Sequence, residues 1–236
     1  MARKKRRVGQ ARLILIVVIV LALLAAVGSG IAWWHLRHWT PPHDAYPMQG
    51  VEVSDADGDI AWDSLKAIGV KFAYIDASAS AFARDPRFVA NLEHARAAGL
   101  QVGAVHLYDP CQPAQNQAAN FVVTVPRDLT MLPPAVELDR LADDCPVHVS
   151  EAKVESELMT FLNQIETHTG KPVILKVTPR FQSRYDISAK LDRNLWLVRD
   201  RVQPDYAGRP WTMWTANSDY LNEVTEHGLR WVVVQP

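Results

Sequence analysis

An α/β barrel of about eight strands, preceded by one transmembrane helix, is the architecture the sequence predicts, and three patterns predict it. From Gly50 onward, apolar strand-like runs alternate with segments of helical period. After Val177 the helical spacing fades while strand-like runs continue, so the late part of the barrel has few helices. An uncharged apolar stretch follows a basic N-terminus. With 236 residues, 48% of them apolar, the chain is long enough for one sizeable domain once that N-terminus is set aside.

The N-terminal element comes first. Residues 1–12 form a basic segment with Arg3, Lys4, Lys5, Arg6, Arg7 and Arg12. Leu13 to Val27 is unbroken apolar, and the stretch continues uncharged through Gly28, Ser29 and Gly30 to Trp34. At helical rise, residues 13–34 span roughly 33 Å, enough to cross a bilayer. The unbalanced basic residues keep the N-terminus cytoplasmic and send the rest across the inner membrane, with Trp33 and Trp34 at the interface. A cleaved signal peptide is the competing reading, and the lack of a small-x-small site after Val27 favours the signal-anchor. Residues 35–49, with Pro41, Pro42 and Pro47, read as a stiff linker, leaving 50–236 as the domain.

Within the domain, strands are expected at Val51–Val53, Val70–Ile75, Gln101–Leu107, Ala135–Asp139 and Pro172–Val177, then at Leu195–Val198, Trp211–Thr215 and Trp231–Val234. Pro86 opens a helix carrying Phe88, Leu92 and Ala95 on one face. A second runs behind a Ser150 N-cap, with Val154, Leu158, Phe161, Leu162 and Ile165 on one stripe.

Charge narrows the function. Residues 1–38 hold seven of the 25 Lys/Arg and none of the 26 Asp/Glu, so the remainder is near −8. An acidic domain argues against nucleic acid as a partner, because phosphate neutralisation needs a basic surface. No cofactor is called for, and the eight scattered His and two Cys lack the spacing of a metal site. In an oxidising compartment Cys111 and Cys145 are expected to pair; otherwise they are two buried thiols.

In a β/α barrel, chemistry sits where strands end. Glu52, Asp76, His106, Glu137, Asp139 and Lys176 stand at such positions. Glu137 and Asp139, two apart on one strand, point to the same face. Like charges so placed push one pKa up and leave the other low, which suits an acid and an anionic stabiliser. The alternative is a solvated pair bound to a cation such as Lys176. His106 is either a site residue or a hydrogen-bonded structural histidine. Trp211 and Trp214 could line a sugar subsite or fill a core.

These residues resemble a known family. Gly50-Val51-Glu52-Val53-Ser54 followed by Gly58-Asp59-Ile60-Ala61-Trp62 is similar to the "GIDVS...QGxIDW" opening of family 25 glycoside hydrolases, the lysozyme-like muramidases. Asp85-Pro86-Arg87-Phe88 resembles their "DPxF", Ala97-Ala98-Gly99-Leu100 with Val102–His106 their "AGLxVGAYH", and Gln117–Phe121 their "QAxNF". Leu132-Pro133-Pro134 leads the carboxylate strand as in "LPPVLDVE", and Thr169–Pro172 resembles "TGxxPIIY". The resemblance runs from about Gly50 to Trp214.

It implies a flattened barrel of five β/α units plus three strands that binds peptidoglycan or a related N-acetylated glycan and cleaves the β-1,4 bond after N-acetylmuramic acid. It also implies that the 2-acetamido group acts as nucleophile, oriented by an Asp, while a Glu two residues on protonates the leaving oxygen. Glu137 falls at the Asp position and Asp139 at the Glu position, so the types are exchanged. Glu52 replaces the first-strand Asp. Asp76 and Ala79 replace the Lys and Glu of "KATEG", Lys176 stands where Tyr is usual, and Arg230 lies in the strand that lacks the family's Asp. The resemblance thus implies a muramidase using Glu137, Asp139 and Glu52, with His106, Asp76, Lys176 and Trp214 at the glycan. The altered carboxylates equally suit an inactive, membrane-tethered glycan-binding or scaffolding module.

Overall fold

The structure, a computed structural model, describes residues 2–221 and 227–236. It divides into two units, residues 1–39 and 40–236.

The first unit is one helix, α1 (Ala2–Arg37). Its segment Leu13–Arg37 contains an 18-residue window with a mean hydropathy of 3.0, and no residue of that window is buried within the chain. Twenty-five residues are, by length and composition, enough to cross a membrane. The basic side chains of residues 3–12 lie outside the described ones.

The second unit is a closed barrel. Strands β1 (Gln49–Val53), β2 (Phe72–Ala79), β4 (Gln101–Leu107), β5 (Ala135–Leu138), β6 (Ile174–Val177), β7 (Asn194–Val198), β8 (Met213–Tyr220) and β9 (Leu229–Val234) pair in that order, and β9 returns to β1. A two-residue strand, β3 (Ala83–Arg84), hangs on β2 as a hairpin the sequence did not signal. The pairings from β1 to β8 are parallel, whereas β9 is antiparallel to both neighbours. The stretch from Tyr220 to Leu229 is too short for a parallel crossover, which needs a dozen or more residues.

Helices cover the outside: α2 (Trp62–Ala67), α3 (Phe88–Ala97), α4 (Ala114–Thr124) and α5 (Glu151–Thr169). The Ser150 hydroxyl caps α5 by accepting from Lys153 N–H, and Gly170 ends it in the left-handed region at φ 70°. Two short helices, α6 (Pro179–Tyr185) and α7 (Ile187–Lys190), stand where helical spacing was expected to fade.

Residues 40–48 belong to the second unit. Gln49 Nε2 donates to the Pro41 and Tyr46 carbonyls at 2.9 Å, and the Tyr46 ring meets Trp214 edge-on at 5.8 Å.

Phe72, Tyr74, Val105, Ala135, Ile174, Trp196, Met213 and Val232 fill the barrel interior. Room for two rings from β2 comes from glycine on either side. Gly50 is in register with Phe72 and Gly103 with Tyr74, and a Cβ on either would lie 2.4 Å from the facing ring. This packed floor supports the polar layer at the C-terminal end of the barrel.

Candidate active site

Strand period places the site. Side chains alternate in and out, so Asp76 on β2, Glu137 on β5 and Lys176 on β6 share the interior with core residues Tyr74, Ala135 and Ile174 two positions before them, and Glu52 on β1 follows Gly50, the register partner of Phe72, by the same two. Arg230 joins them from β9, whose first residues lie at this end because the strand runs the other way.

Lys176 is the hub. Its Nζ donates to Glu52 Oε1 at 2.6 Å, Glu52 Oε2 at 2.7 Å and Glu137 Oε2 at 2.7 Å, and it lies 5.2 Å from the centre of the Trp196 ring. β1 and β6 are not neighbours, so the Glu52 contact crosses the barrel lumen. Arg230 sits 3.5 Å from Glu52 Oε2, 3.5 Å from Asp57 Oδ2 and 3.4 Å from Asp76 Oδ2. Asp57 is fixed in turn by accepting from Ser54 N–H at 2.6 Å.

Burial and charge compete in this layer. Burial alone would raise Glu52, but the Lys176 and Arg230 charges hold its carboxyl below the usual range. Asp76 goes the other way. Burial pushes it to about 8, helped by the Glu52 charge and opposed by Arg230, and its Oδ1 is buried without a hydrogen-bond partner. Burial would lower Lys176, yet Glu52 and Glu137 keep its pKa above the usual lysine value.

Glu137 is half-buried, and Asp139, just past the end of β5, is exposed. Both open on a cavity of about 200 Å³ with Asp109, Arg140, Leu107 and Ser80 on its walls. Asp109 anchors one wall, accepting from Arg140 at 2.9 Å, Ser80 Oγ at 2.9 Å and Cys111 N–H at 2.9 Å. A second cavity of about 280 Å³, containing Asp76, Asp55, Asp85 and Arg84, meets the first at Ala79 and Leu107. Cys111 and Cys145 are bonded, with Cα atoms 5.4 Å apart, joining the loops after β4 and β5.

Two expected site residues stand apart. His106 is one position out of phase with Val105, so its ring lies on the outer side of the sheet, fully buried against Phe161 and Phe121. Its Nδ1 pairs with Ser78 Oγ at 2.8 Å, and burial lowers it to about 4 despite the Gln117 amide. Trp214 is out of phase with Met213 in the same way, and its Nε1 donates to the Arg199 carbonyl at 2.6 Å. Arg230, Asp57, Asp109 and Arg140 were not among the residues expected at the site. Arg230 escaped because strand-end reasoning looks to C-terminal ends, whereas β9 enters the site by its start.

A larger cleft, about 800 Å³, opens at the opposite end of the barrel. Its cations are already engaged: Arg193 with Glu166 at 2.7 Å, Arg209 with the Ser188, Leu191 and Arg193 carbonyls, and Lys171 with the Met131 carbonyl. Among the described residues, no group of three or more His, Cys, Asp or Glu is placed to hold a metal.

A family model described as "Glycosyl hydrolases family 25" matches residues 51–224. Lysozyme M1 of Streptomyces globisporus is 28% identical over 142 residues, covering 58% of this chain and 48% of that protein. The uncharacterized protein YegX of Escherichia coli K12 is 25% identical over 177 residues, covering 72% of this chain and 63% of that one. The chain thus spans between about half and two thirds of the length of these relatives. The structure of a family 25 glycosyl hydrolase from Bacillus anthracis superimposes with a TM-score of 0.76 at 27% identity, over 85% of this chain and 93% of that one.

Proposed function

Because this chain belongs to glycosyl hydrolase family 25, we propose that it is a slow muramidase, cleaving peptidoglycan after N-acetylmuramic acid while anchored by α1 to the outer face of the inner membrane. The observation that carries the reading is the pair at the end of β5: Glu137 and Asp139 open on one cavity, and Glu137 Oε1 has no partner among the described residues. Asp139, exposed at the rim, donates the proton to the leaving glycosidic oxygen. Glu137 accepts the N–H of the 2-acetamido group, whose carbonyl oxygen attacks the anomeric carbon as the bond to the leaving sugar breaks. Asp139, now ionised, then takes a proton from the water that opens the cyclic intermediate. Each carboxylate differs by one methylene from the residue type usual in the family, a displacement of ~1.5 Å that can cost on the order of 100-fold in rate.

A second reading is a glycan-binding module without turnover. It is favoured by Lys176, whose ammonium neutralises Glu137 from below. Incubating detergent-extracted full chain with purified peptidoglycan and identifying new reducing ends by mass spectrometry separates the two. Wild type is expected to release N-acetylmuramic reducing ends, and Asp139→Asn to lose about 100-fold or more in rate. Wild type that cosediments with the glycan but releases nothing moves the assignment to the second reading. Recovery of a soluble chain beginning after Val27 removes the anchor.

A further inference from the structure

We infer that Lys176 is a positioning residue whose buried ammonium sets the pose of the Glu137 carboxylate, and that Glu52 reaches the reaction only by holding Lys176. The inference rests on the muramidase reading above.

An ammonium has three protons to donate, and the three short contacts of Nζ, two to Glu52 and one to Glu137, occupy them all. Lys176 is 4% exposed and Glu52 fully buried, so neither reaches a glycan lying in the mouth. What they reach is Glu137. Glu137 and Lys176 are direct partners in the β5–β6 register, so the bond to Oε2 forms between adjacent strands without stretching either chain. The ammonium is itself fixed on three sides: by Glu52 across the lumen, by the Trp196 face, and by the packed core under it.

A glutamate has one more side-chain torsion than an aspartate, and a half-buried one at a strand end has little to fix it. Tying Oε2 to Nζ removes that freedom and leaves Oε1, which has no hydrogen-bond partner among the described residues, as the oxygen free to accept from a glycan. The longer side chain at 137 and the cation at 176 therefore form one arrangement, in which the lysine draws back a carboxylate that would otherwise reach too far. Removing the cation leaves the carboxylate in place chemically but unplaced geometrically.

The test compares full-length wild type, Lys176→Met and Lys176→Met/Glu52→Gln, the last removing the charge of the fully buried Glu52 along with its closest cation, so that folding does not depend on Arg230 at 3.5 Å to compensate it. Glu52→Gln alone is the reference for the double variant. On soluble glycan strands, kcat is expected to fall ~10- to 100-fold with KM changed less than about threefold. Unchanged kcat overturns the inference, as does a raised KM at constant kcat, which would mean that Lys176 binds substrate. Crystal structures of the variants give the second readout. Glu137 is expected to leave its wild-type rotamer, and an unmoved Glu137 overturns the inference. If wild type has no turnover at all, the muramidase reading fails by itself, and the Glu137 displacement still decides the positioning role.

Discussion

His106 on β4 and Asp76 on β2 are both withdrawn from water, and burial acts on them in opposite directions because one is a base and the other an acid. His106 titrates near 4 when folded, against about 6.5 when unfolded. Between those values the unfolded chain binds the extra proton, so its contribution to stability is lost as pH falls through that window. Asp76 titrates near 8 when folded and about 3.9 when unfolded. There the folded chain binds the extra proton, so the contribution is full below about 4 and is lost as pH rises to about 8. The two slopes oppose each other between 4 and 6.5, leaving Asp76 alone from 6.5 to 8. Wild type is expected to lose stability across that upper window by up to ~1.4 kcal/mol per pH unit relative to Asp76→Asn. Denaturant titrations of both proteins at pH 6.5, 7.2 and 8 check this, and parallel curves would show that Asp76 ionises normally. At this scale the sequence was legible wherever strand phase was known. Counting by twos from the core puts Glu52, Asp76, Glu137 and Lys176 in one layer, and the same count puts His106 and Trp214 outside it. The count could not be made from the sequence alone, because strands buried on both faces show no apolar–polar alternation.

Elements were legible in proportion to their length. The 19 residues of α5 repeat the apolar stripe often enough to be unmistakable, and all eight long strands stand within a few residues of their expected places. The seven and four residues of α6 and α7 are too short to show a 3.6-residue period. Their only local sign was Thr178-Pro179, a capping side chain followed by the residue best suited to a helix start, and Thr178 Oγ1 does accept from Phe181 N–H. Glycine marks the other element-scale constraint. Gly103→Ala is expected to destabilise the barrel by ~1–3 kcal/mol, because its Cβ enters the space of the Tyr74 ring in a strand that cannot move aside. Chemical denaturation measures it. In a Tyr74→Leu background the penalty should shrink, since the two residues then couple through one vacated volume, and an equal penalty in both backgrounds would place the strain elsewhere.

For the molecule as a whole, the proposed export and the stability of the fold meet at Cys111 and Cys145. The bond closes a 34-residue separation and ties the β4–α4 loop to the β5–α5 loop, the two loops that carry Asp109, Asp139 and Arg140. On the chain-entropy account such a loop contributes roughly 4 kcal/mol, a large share of what a domain of this size has to lose. That contribution exists only where thiols oxidise, which agrees with the proposed placement of the domain outside the inner membrane. Cys111→Ser/Cys145→Ser is therefore expected to unfold at lower denaturant, by an amount near that ~4 kcal/mol, while wild type in reductant moves toward the variant. The effect on the site should be separable from the effect on the fold. Asp109 accepts from Cys111 N–H and holds Arg140 and Ser80, so releasing Cys111 loosens one wall of the cavity while the Glu52–Lys176–Glu137 layer, built on strands, stays fixed. Glycan binding by the double serine variant should then weaken at temperatures where the barrel is still folded. If binding and folding are instead lost together, the disulfide supports the barrel as a unit and the cavity wall has no independent dependence on it.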